Sequence, residues 1–400
     1  MSGSVGATVI PNPDGGETGV RNATPDTSRR SVMVTGAAGY IGRQVVEALS
    51  REPGRFSTVV AADIREVSGS RQLPGVVHAV ADVRDEAVRT LMEEYRVDTV
   101  VHLAAIVTPR RGDTREFQYE VDVGGTRNVL EAAVACGVRK FIYTSSGAAY
   151  GYSPENPPLL HEDDPLRGNE TFAYAWHKRL VEEMLAEYRK EHPELSQVVF
   201  RVSTILGPSV NNQITAHFER AVVVGIAGVA SPFCFVSDRD VVGAILSAIH
   251  GDRSGVYNLA GDGVMTLREI ALGLGRRYGS VREDRLRKAF AALKRLGIST
   301  YGEEQLLFLR YRPVLSARRL RTEFGYRPRL STRQVFETYR RSRVRPEPGE
   351  VSPRIPGPSR PAATLPVEHR ADVAPVQEEL EPLLGPEGLV PEALPIPEPV

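Results

Sequence analysis

The sequence predicts an α/β protein in which a doubly wound parallel sheet is followed by a smaller, mostly helical C-terminal substrate lobe. In the first half of the 400-residue chain, short apolar runs alternate with helical stretches. A glycine-rich turn joins the first apolar run to the first helical stretch. Alternation of this kind favours parallel strands with crossover helices on both faces of the sheet. Six such strands are typical of a Rossmann fold, in which ligands bind at the carboxyl ends of the strands.

Each predicted element has its own signal in the hydrophobic pattern. Strands are predicted at 31–35, 58–62, 76–80, 97–103, 140–144 and 197–201. Helices are predicted between them at 40–50, 87–95, 124–136 and 174–189. Beyond residue 207 the alternation weakens, with helices at 241–250 and 266–278, a strand at 256–259 and a basic, mostly helical stretch at 282–311.

Composition divides the chain into four parts. Residues 1–29 are polar and aperiodic, and residues 345–400 are rich in proline and glutamate, so both are expected to be disordered. Residues 30–206 are predicted to form the dinucleotide-binding Rossmann domain, which also carries the catalytic residues. Residues 207–344 are predicted to form a substrate-binding lobe, some of whose elements return to the Rossmann sheet.

Charge and cysteine content exclude several classes of protein. Fifty basic residues balance fifty acidic ones, so neither nucleic acid nor an anionic membrane is expected as a partner. Two distant cysteines exclude a disulfide scaffold and fit a reducing compartment. The longest apolar run has ten residues, against roughly 20 for a membrane span, and the first residues lack a secretory pattern. A cytoplasmic protein is expected, and no His, Asp or Glu spacing suggests a metal site.

The glycine turn has the spacing of a dinucleotide-binding site. Gly36, Gly39 and Gly42 form G-x-x-G-x-x-G between a predicted strand and a predicted helix. The first glycine permits the tight turn, the second lets the backbone approach a pyrophosphate, and the third lets the helix lie close to the strand. The N–H groups of the first helical turn would face the anion. The predicted cofactor contacts are Gly36, Ala38, Gly39, Tyr40, Ile41 and Gly42.

Two aspartates follow the next two strands. Asp63 lies 21 residues after Gly42, where a carboxylate accepts hydrogen bonds from the adenosine ribose. Such a carboxylate would repel a 2′-phosphate, which predicts NAD rather than NADP, although the nearby Arg43 and Arg65 argue the other way, because either could reach a phosphate. Asp82 and Val83 follow the third strand and are predicted to lie beside the adenine.

A tyrosine and a lysine share one face of a predicted helix. Tyr174 and Lys178 are four residues apart, and a lysine ammonium beside a phenol lowers the pKa of that phenol. Such a phenol can exchange a proton with a substrate oxygen while hydride moves to or from a nicotinamide. Ser146 lies 28 residues upstream of Tyr174 at the end of the fifth strand, where its hydroxyl can bond the same oxygen.

Taken together, these motifs resemble the extended short-chain dehydrogenase/reductase superfamily, in its NAD-dependent epimerase/dehydratase branch. The resemblance covers about residues 31 to 340. It implies NAD as the cofactor, Tyr174 as the acid/base, Lys178 as its activator and a ligand of the nicotinamide ribose, and Ser146 as the catalytic hydroxyl. It also implies cofactor contacts at Leu103, Ala104, Ala105 and Val202. A homodimer built on the two long helices is compatible with it.

Two departures from the family pattern bear on the substrate. Asp122 stands where the family has asparagine, and the stretch after Gly207, which carries much of the nucleotide-binding surface in nucleotide-sugar epimerases, is short. The candidate substrate contacts are Arg110, Asn211, Asn212 and Arg312. His102 is expected to be a packed core residue, and His177 to point away from the site.

Three functions are consistent with these residues. The first is an epimerase or dehydratase that transiently oxidises a hydroxyl of a sugar, free or nucleotide-linked. The second is a net NAD(P)-dependent oxidoreductase acting on a hydroxyl or carbonyl of a non-nucleotide small molecule. The third is an NAD-binding sensor without chemistry.

Overall fold

The computed structural model describes residues 30–52, 54–110, 112–295, 302 and 304–343. The predicted disordered segments at 1–29 and 345–400 lie outside the described residues. Within these ranges, every helix is too short or too polar to traverse a lipid bilayer.

The strands of the described residues, in chain order, are β1 Arg30–Thr35, β2 Phe56–Asp63, β3 Val76–Val80, β4 Thr99–His102, β5 Lys140–Ser146, β6 Ser196–Val202, β7 Thr204–Leu206, β8 Val222–Ile226, β9 Pro232–Phe233, β10 Phe235–Ser237, β11 Gly255–Leu259, β12 Met265–Thr266 and β13 Arg277–Val281. The α-helices are α1 Tyr40–Ser50, α2 Ala87–Glu94, α3 Arg115–Tyr119, α4 Gly125–Ala135, α5 Ala173–Glu191, α6 Gln213–Phe218, α7 Asp238–His250, α8 Leu267–Gly273, α9 Glu283–Arg295, α10 Glu304–Arg310 and α11 Thr332–Arg343. A π-helical turn, Glu120–Gly124, joins α3 to α4.

Seven parallel strands form the main sheet, in the order β11-β6-β5-β4-β1-β2-β3. All six strands predicted from the first half of the chain are present. The predicted strand of the C-terminal lobe, β11, returns to this sheet beside β6. The strand order reverses between β1 and β4, and open sheets of this kind bind ligands in the crevice at that switch point.

Helices cover both faces of the sheet, as the alternation predicts. On one face α1 and α7 pack against the strands through buried side chains such as Val45 and Ile245. On the other face α2, α4 and α5 pack through side chains such as Leu130 and Leu185. The doubly wound fold predicted from the sequence is therefore confirmed.

One predicted helix beyond residue 207 is shorter than expected. The sequence predicts one helix over 266–278, but α8 ends at Gly273 and is followed by Gly275 with a φ of +66°. This left-handed conformation stops the helix. The chain then forms β13, which pairs with β8 in parallel. The predicted basic helical stretch is present as α9 and α10.

Candidate active site

The glycine turn closes tightly against the loop after β4. Gly36 has a φ of +67°, and a Cβ there would lie 2.7 Å from the backbone nitrogen of Ala104. A Cβ on Gly42 would lie 2.2 Å from the Gly36 carbonyl oxygen. Only glycine fits these positions, and the turn leads into the first turn of α1, whose N–H groups lack intrahelical acceptors. This cradle fits a pyrophosphate.

Asp63 ends β2 beside the glycine turn. Its Oδ2 accepts the N–H of Ala38 at 2.9 Å, and its Oδ1 accepts the N–H and the Nε–H of Arg65, both at 3.0 Å. The carboxylate is buried, whereas the Arg65 side chain is 53% exposed. Asp63, which is expected to repel the 2′-phosphate of NADP, is therefore paired with Arg65, which is expected to attract it.

Asp82 and Val83 follow β3 as predicted. Arg84 donates to both oxygens of Asp82, at 3.0 and 2.7 Å, and these bonds lower the pKa of Asp82. Val83 is buried against Gly125, where an added Cβ would lie 2.5 Å from its side chain. The Asp82 carboxylate is thus already paired with a guanidinium.

Tyr40 and Ile41 begin α1. The Tyr40 hydroxyl donates to Asp238, and Ile41 packs against the core. Their backbone N–H groups lie in the first helical turn.

Leu103, Ala104 and Ala105 continue the chain from β4 and are half-buried. Leu103 donates its N–H to the Thr35 carbonyl at 3.2 Å, which holds this loop beside the glycine turn.

The structure brings Ser146, Tyr174 and Lys178 together at the carboxyl end of the sheet. Ser146 ends β5, in register with Val202 of β6. Its hydroxyl oxygen accepts the N–H of Ala148 at 3.1 Å, and the Ser146 side chain lies close enough to Tyr174 to act on the pKa of the phenol. The Lys178 Nζ lies 5.7 Å from the centroid of the Tyr174 ring.

The pKa of Tyr174 is raised, not lowered as the sequence predicts. Burial is the main cause of the raised pKa of Tyr174, and the Ser146 side chain, which lowers this pKa, only partly offsets it. The Lys178 ammonium instead donates to the Tyr143 hydroxyl and to the Thr144 carbonyl, both at 2.8 Å. The Tyr174 phenol is therefore protonated at neutral pH and can donate a proton.

Burial lowers the pKa of Lys178 to about 8, although the charges of Asp122 and Glu182 act in the opposite direction. Its charge consequently changes close to neutral pH, where acid–base catalysts work best. Tyr143, the main side-chain partner of Lys178, was not predicted from the sequence. Its position in β5, three residues before Ser146, is the only signal the sequence holds.

Tyr174 packs against a cluster with several aromatic side chains that was not predicted from the sequence. Tyr152, Phe172 and Phe308 lie in it, with the Tyr152 ring centroid 5.0 Å from that of Phe172 and 5.2 Å from that of Phe308. Phe308 belongs to α10, so a helix from the C-terminal part of the chain packs against the same cluster as Tyr174. No sequence pattern links α10 to α5, because the two are joined only by tertiary packing.

Arg312 lies next to this cluster. Its guanidinium carbon is 3.9 Å from the Phe233 ring centroid and 4.4 Å from that of Phe308. Nη2 donates to the Thr204 hydroxyl at 3.0 Å, but the buried Nε and Nη1 have no hydrogen-bond partner among the described residues. A buried guanidinium with two unused donors fits an anionic group of a ligand.

The other candidate substrate residues lie apart from this group or are otherwise engaged. Arg110 is exposed in the loop after β4, where its backbone N–H bonds Asp113. The Asn212 side-chain oxygen caps α6 by accepting the N–H groups of Ile214 and Thr215. Asn211 is exposed on the preceding turn.

His102 lies in the core, as expected. Its Nδ1 bonds the Thr35 hydroxyl at 2.7 Å and its Nε2 bonds the Thr126 hydroxyl at 3.0 Å. Because Thr126 donates its own proton to the Asp122 carbonyl, His102 carries its proton on Nε2. Burial lowers the pKa of His102 to about 3.

The sheet, its switch point and the glycine cradle define an enzyme of the dinucleotide-binding Rossmann class. The sequence matches the NAD dependent epimerase/dehydratase family over residues 32–260, more than half of the chain, and the chain belongs to this family. Its cofactor is accordingly NAD.

Similar proteins include both characterised and uncharacterised members. An uncharacterized protein of Mycobacterium bovis is 26% identical over 324 residues, which cover 78% of this chain and 84% of that protein. A 3-diazoavenalumate denitrifying reductase of a Streptomyces species is 30% identical over 243 residues, or 58% of this chain and 76% of the reductase. A UDP-glucose 4-epimerase of Erwinia amylovora is 29% identical over 194 residues, or 46% of this chain and 56% of the epimerase.

Solved structures with the same fold include two that contain NAD. The UDP-glucose 4-epimerase of Thermus thermophilus in complex with NAD has a TM-score of 0.60 and 24% identity, covering 78% of this chain and all (100%) of that one. MoeE5 in complex with UDP-glucuronic acid and NAD has a TM-score of 0.60 and 24% identity, covering 78% of this chain and 98% of MoeE5.

Proposed function

We propose that the protein transiently oxidises one hydroxyl group of a sugar nucleotide and re-reduces the resulting carbonyl, with Ser146, Tyr174 and Lys178 at the reacting oxygen. The observation that carries this proposal is that Ser146, at the end of β5, and Tyr174 and the buried Lys178, on α5, lie together, with the Lys178 Nζ 5.7 Å from the Tyr174 ring centroid. Two hydroxyl groups that meet at the carboxyl edge of the sheet can both bond a single substrate oxygen.

The glycine cradle, the first turn of α1, Asp63 and the loop at Leu103, Ala104 and Ala105 would hold NAD. When bound, NAD accepts a hydride from a carbon atom and returns it. The protein then has to remove one proton from the substrate oxygen during oxidation and return one during reduction. To accept this proton, Tyr174 would first lose its own phenol proton. As the phenolate it would take the proton when the hydroxyl is oxidised and, as the phenol, return it when the carbonyl is reduced, while Ser146 would orient the oxygen.

Lys178 supports this proton exchange by its charge. A positive ammonium near the phenol favours the phenolate that forms when the proton leaves Tyr174. In the described structure this ammonium bonds Tyr143 and the Thr144 carbonyl. Tyr143 therefore holds Lys178 in place between the phenol and the sheet.

Arg312 supports an anionic substrate. A guanidinium buried between two aromatic rings with two unused N–H donors would bind the diphosphate of a sugar nucleotide. The UDP-glucose 4-epimerase of Erwinia amylovora and MoeE5 bound to UDP-glucuronic acid make uridine diphosphate sugars the first ligands to test.

A second function is favoured by the aromatic cluster. Tyr152, Phe172 and Phe308 give the site walls that suit an aromatic substrate, and a similar protein is a 3-diazoavenalumate denitrifying reductase. In this alternative NADH would supply a hydride to a carbonyl carbon of a small aromatic anion, Tyr174 would protonate the carbonyl oxygen, NAD would be released, and Arg312 would bind the carboxylate of the substrate.

The test is a screen of UDP-, GDP- and dTDP-sugars and of aromatic carboxylates with NAD and NADH, following absorbance of NADH and product stereochemistry. Inversion at one sugar carbon without net NADH supports the first function, whereas stoichiometric NADH consumption supports the second. Tyr174→Phe should abolish either turnover while NAD still binds. Tyr188→Phe, on the same helix, is the matched control. If neither class of substrate turns over, the proposal of Ser146, Tyr174 and Lys178 as an active site is wrong.

The expected homodimer and cytoplasmic location stay predictions, and sedimentation of the purified full chain tests the first of them.

A further inference from the structure

A buried acid–base pair lies behind the candidate active site. Asp122 and His177 are 6% and 1% exposed, and the Asp122 Oδ2 lies 2.9 Å from the His177 Nδ1. The sequence alone predicts that His177 points away from the site and marks Asp122 only as a departure from the family pattern. The structure places the two side chains together, next to Lys178.

Asp122 joins three elements that the site needs. Its Oδ1 accepts the N–H of Ile106 at 2.8 Å, which fixes the end of the loop after β4. Its Oδ2 reaches His177 on α5, the residue immediately before Lys178. Its carbonyl accepts the Thr126 hydroxyl at 2.6 Å, and Thr126 in turn bonds His102 of β4.

The backbone at this point is unusual. Asp122 lies in the π-helical turn Glu120–Gly124, between α3 and α4. A π-helical turn inserts one residue into an α-helix and re-aims the side chains around it, and such turns are frequent at functional sites. Here the turn brings a carboxylate inward, beneath the helix that carries Tyr174 and Lys178.

One ring nitrogen of His177 lacks a hydrogen-bond partner among the described residues. Its Nε2 is buried and has no hydrogen-bond partner among the described residues, whereas buried polar atoms are nearly always paired. A histidine that served only to fill space would be replaced at lower cost by an apolar side chain. The ring instead directs its Nδ1 at the Asp122 carboxylate.

We propose that Asp122 and His177 are a positioning pair for the candidate active site, in which the Asp122 carboxylate ties the loop after β4 to α5 and supplies the counter-charge for the buried Lys178 ammonium. This inference rests on the proposed function, because the pair acts only through Lys178. The charges of Asp122 and Glu182 both raise the pKa of Lys178 against the effect of burial.

Other groups also face Lys178. The titratable side chains around its ammonium are Tyr143 of β5, His102 of β4, Glu182 and Tyr174 of α5, and Asp122 of the π-helical turn. His102 is neutral through the neutral range, and the pKa values of both tyrosines are raised by burial. The two carboxylates are therefore the charges that oppose the burial of Lys178, and Glu182 is already paired with Arg201.

The chain allows a direct measurement without cofactor or substrate. It contains five lysines, so the side-chain carbon signals of lysine labelled with carbon-13 can be resolved by NMR and that of Lys178 assigned with Lys178→Met. The titration midpoint of this signal in the full chain reports the charge of the ammonium. Asp122→Asn keeps an oxygen for the Ile106 N–H but removes the charge, so the midpoint should fall by about one pH unit.

The control is Glu183→Gln, the same carboxylate-to-amide change at an exposed position of α5, where the carboxylate forms an ion pair with Arg179. It should leave the Lys178 midpoint unchanged. His177→Ala should move the midpoint in the natural protein but not in Asp122→Asn, because the histidine acts through the carboxylate. Thermal unfolding of each variant shows that it is folded.

The proposal is overturned if Asp122→Asn leaves the midpoint unchanged, if Glu183→Gln moves it equally, or if His177→Ala acts equally in both backgrounds. None of these results depends on turnover. A failure of the substrate screen would instead refute the proposed function and leave the charge measurement intact.

Discussion

The Tyr40 hydroxyl donates a 2.6 Å hydrogen bond to the Asp238 carboxylate, which links the glycine turn at the start of α1 to the start of α7. Gly207 packs against this pair, and a Cβ there would lie 2.4 Å from the Tyr40 hydroxyl. The bond therefore joins the nucleotide-binding turn to the segment that begins the predicted C-terminal lobe. Burial and the neighbouring carboxylate both raise the pKa of Tyr40, so it stays a donor at every physiological pH.

We expect Tyr40→Phe to lower the free energy of unfolding by about 1 to 2 kcal/mol, because a buried carboxylate loses its shortest donor. The Kd of NAD should change little, since the backbone N–H groups of α1 are unaffected. Urea unfolding and calorimetry measure the two quantities. Tyr95→Phe, at a surface hydroxyl beside the exposed Glu94, should cost less than about 0.5 kcal/mol. A large loss of NAD affinity would show that the phenol itself contacts the cofactor.

Gly36 and Gly137 offer a matched pair of substitutions. Both have left-handed backbones, with φ values of +67° and +68°, but an added Cβ meets backbone atoms only at Gly36. Gly137→Ala should therefore cost about 1 kcal/mol from backbone strain alone. Gly36→Ala should cost more and weaken NAD binding at least about tenfold, because the turn must open to admit the methyl group. If Gly36→Ala and Gly137→Ala changed NAD affinity equally, the glycine turn would not be the pyrophosphate-binding site.

The sequence predicts the elements whose signals are local. The helix at α1 and the strand at β3 have the predicted bounds, because apolar spacing and the glycine turn determine them within a few residues. The β8–β13 pair was missed because its two strands are more than fifty residues apart and each is stable only against the other. The predicted helix at 266–278 failed at Gly275 for the same reason, since the strand partner determines that the chain beyond this glycine is extended.

In the candidate active site, too, local sequence patterns predict some residues, whereas others are brought in by tertiary packing. Glycine spacing and the Tyr174/Lys178 spacing are local patterns, and the structure brings these residues together. Tyr143, Tyr152 and Phe308 reach the site from three different elements, and their contacts depend on tertiary packing. The direction of the Tyr174 pKa was predicted wrongly because the sequence shows the neighbouring ammonium but not the burial, which outweighs it.

Asp63 should control the choice between NAD and NADP. Its buried carboxylate lies where the adenosine ribose is expected, and a 2′-phosphate there would meet a negative charge. We expect the natural protein to bind NAD at least about tenfold more tightly than NADP, and Asp63→Ser to remove most of this preference. Calorimetric Kd values for both nucleotides measure it. Arg65, freed from Asp63, should then favour the phosphate, so Asp63→Ser combined with Arg65→Gln should bind NADP more weakly than Asp63→Ser alone.

Buried histidine should make the fold sensitive to acid. The pKa of His102 is lowered by burial to about 3, whereas an unfolded histidine takes up a proton below about pH 6.5. The unfolded state therefore binds the extra proton, and stability is lost as pH falls from about 6.5 to 3, by up to about 1.4 kcal/mol per pH unit. Urea unfolding across this range measures the slope.

His102→Gln should reduce that slope even if it lowers stability at neutral pH. His161→Gln is the control, because this side chain is exposed to water in the folded chain. An unchanged slope in His102→Gln would assign the acid sensitivity to other groups, of which His217, with a pKa lowered by burial to about 4, is the first to test.

Substitution of Arg312 is expected to weaken ligand binding without lowering the stability of the fold. Its guanidinium is buried between Phe233 and Phe308 with two unused donors, and a buried charge that is poorly paired contributes little to stability. Arg312→Met should therefore leave the free energy of unfolding unchanged or raise it. The same change should weaken binding of UDP-glucose by about 2 kcal/mol, or roughly thirtyfold, because the diphosphate loses its buried partner.

Calorimetry with UDP-glucose and urea unfolding of the same variants measure both effects, and Arg318→Met, at an exposed arginine of the same segment, should change neither. An Arg312→Met protein that is strongly destabilised but binds UDP-glucose normally would make Arg312 a packing residue. The reductase function would instead be favoured by two results together. The natural protein would not bind UDP-glucose, and Arg312→Met would keep its stability but lose binding of aromatic carboxylates. In that case the guanidinium would bind a carboxylate, and the aromatic rings around it would select the substrate.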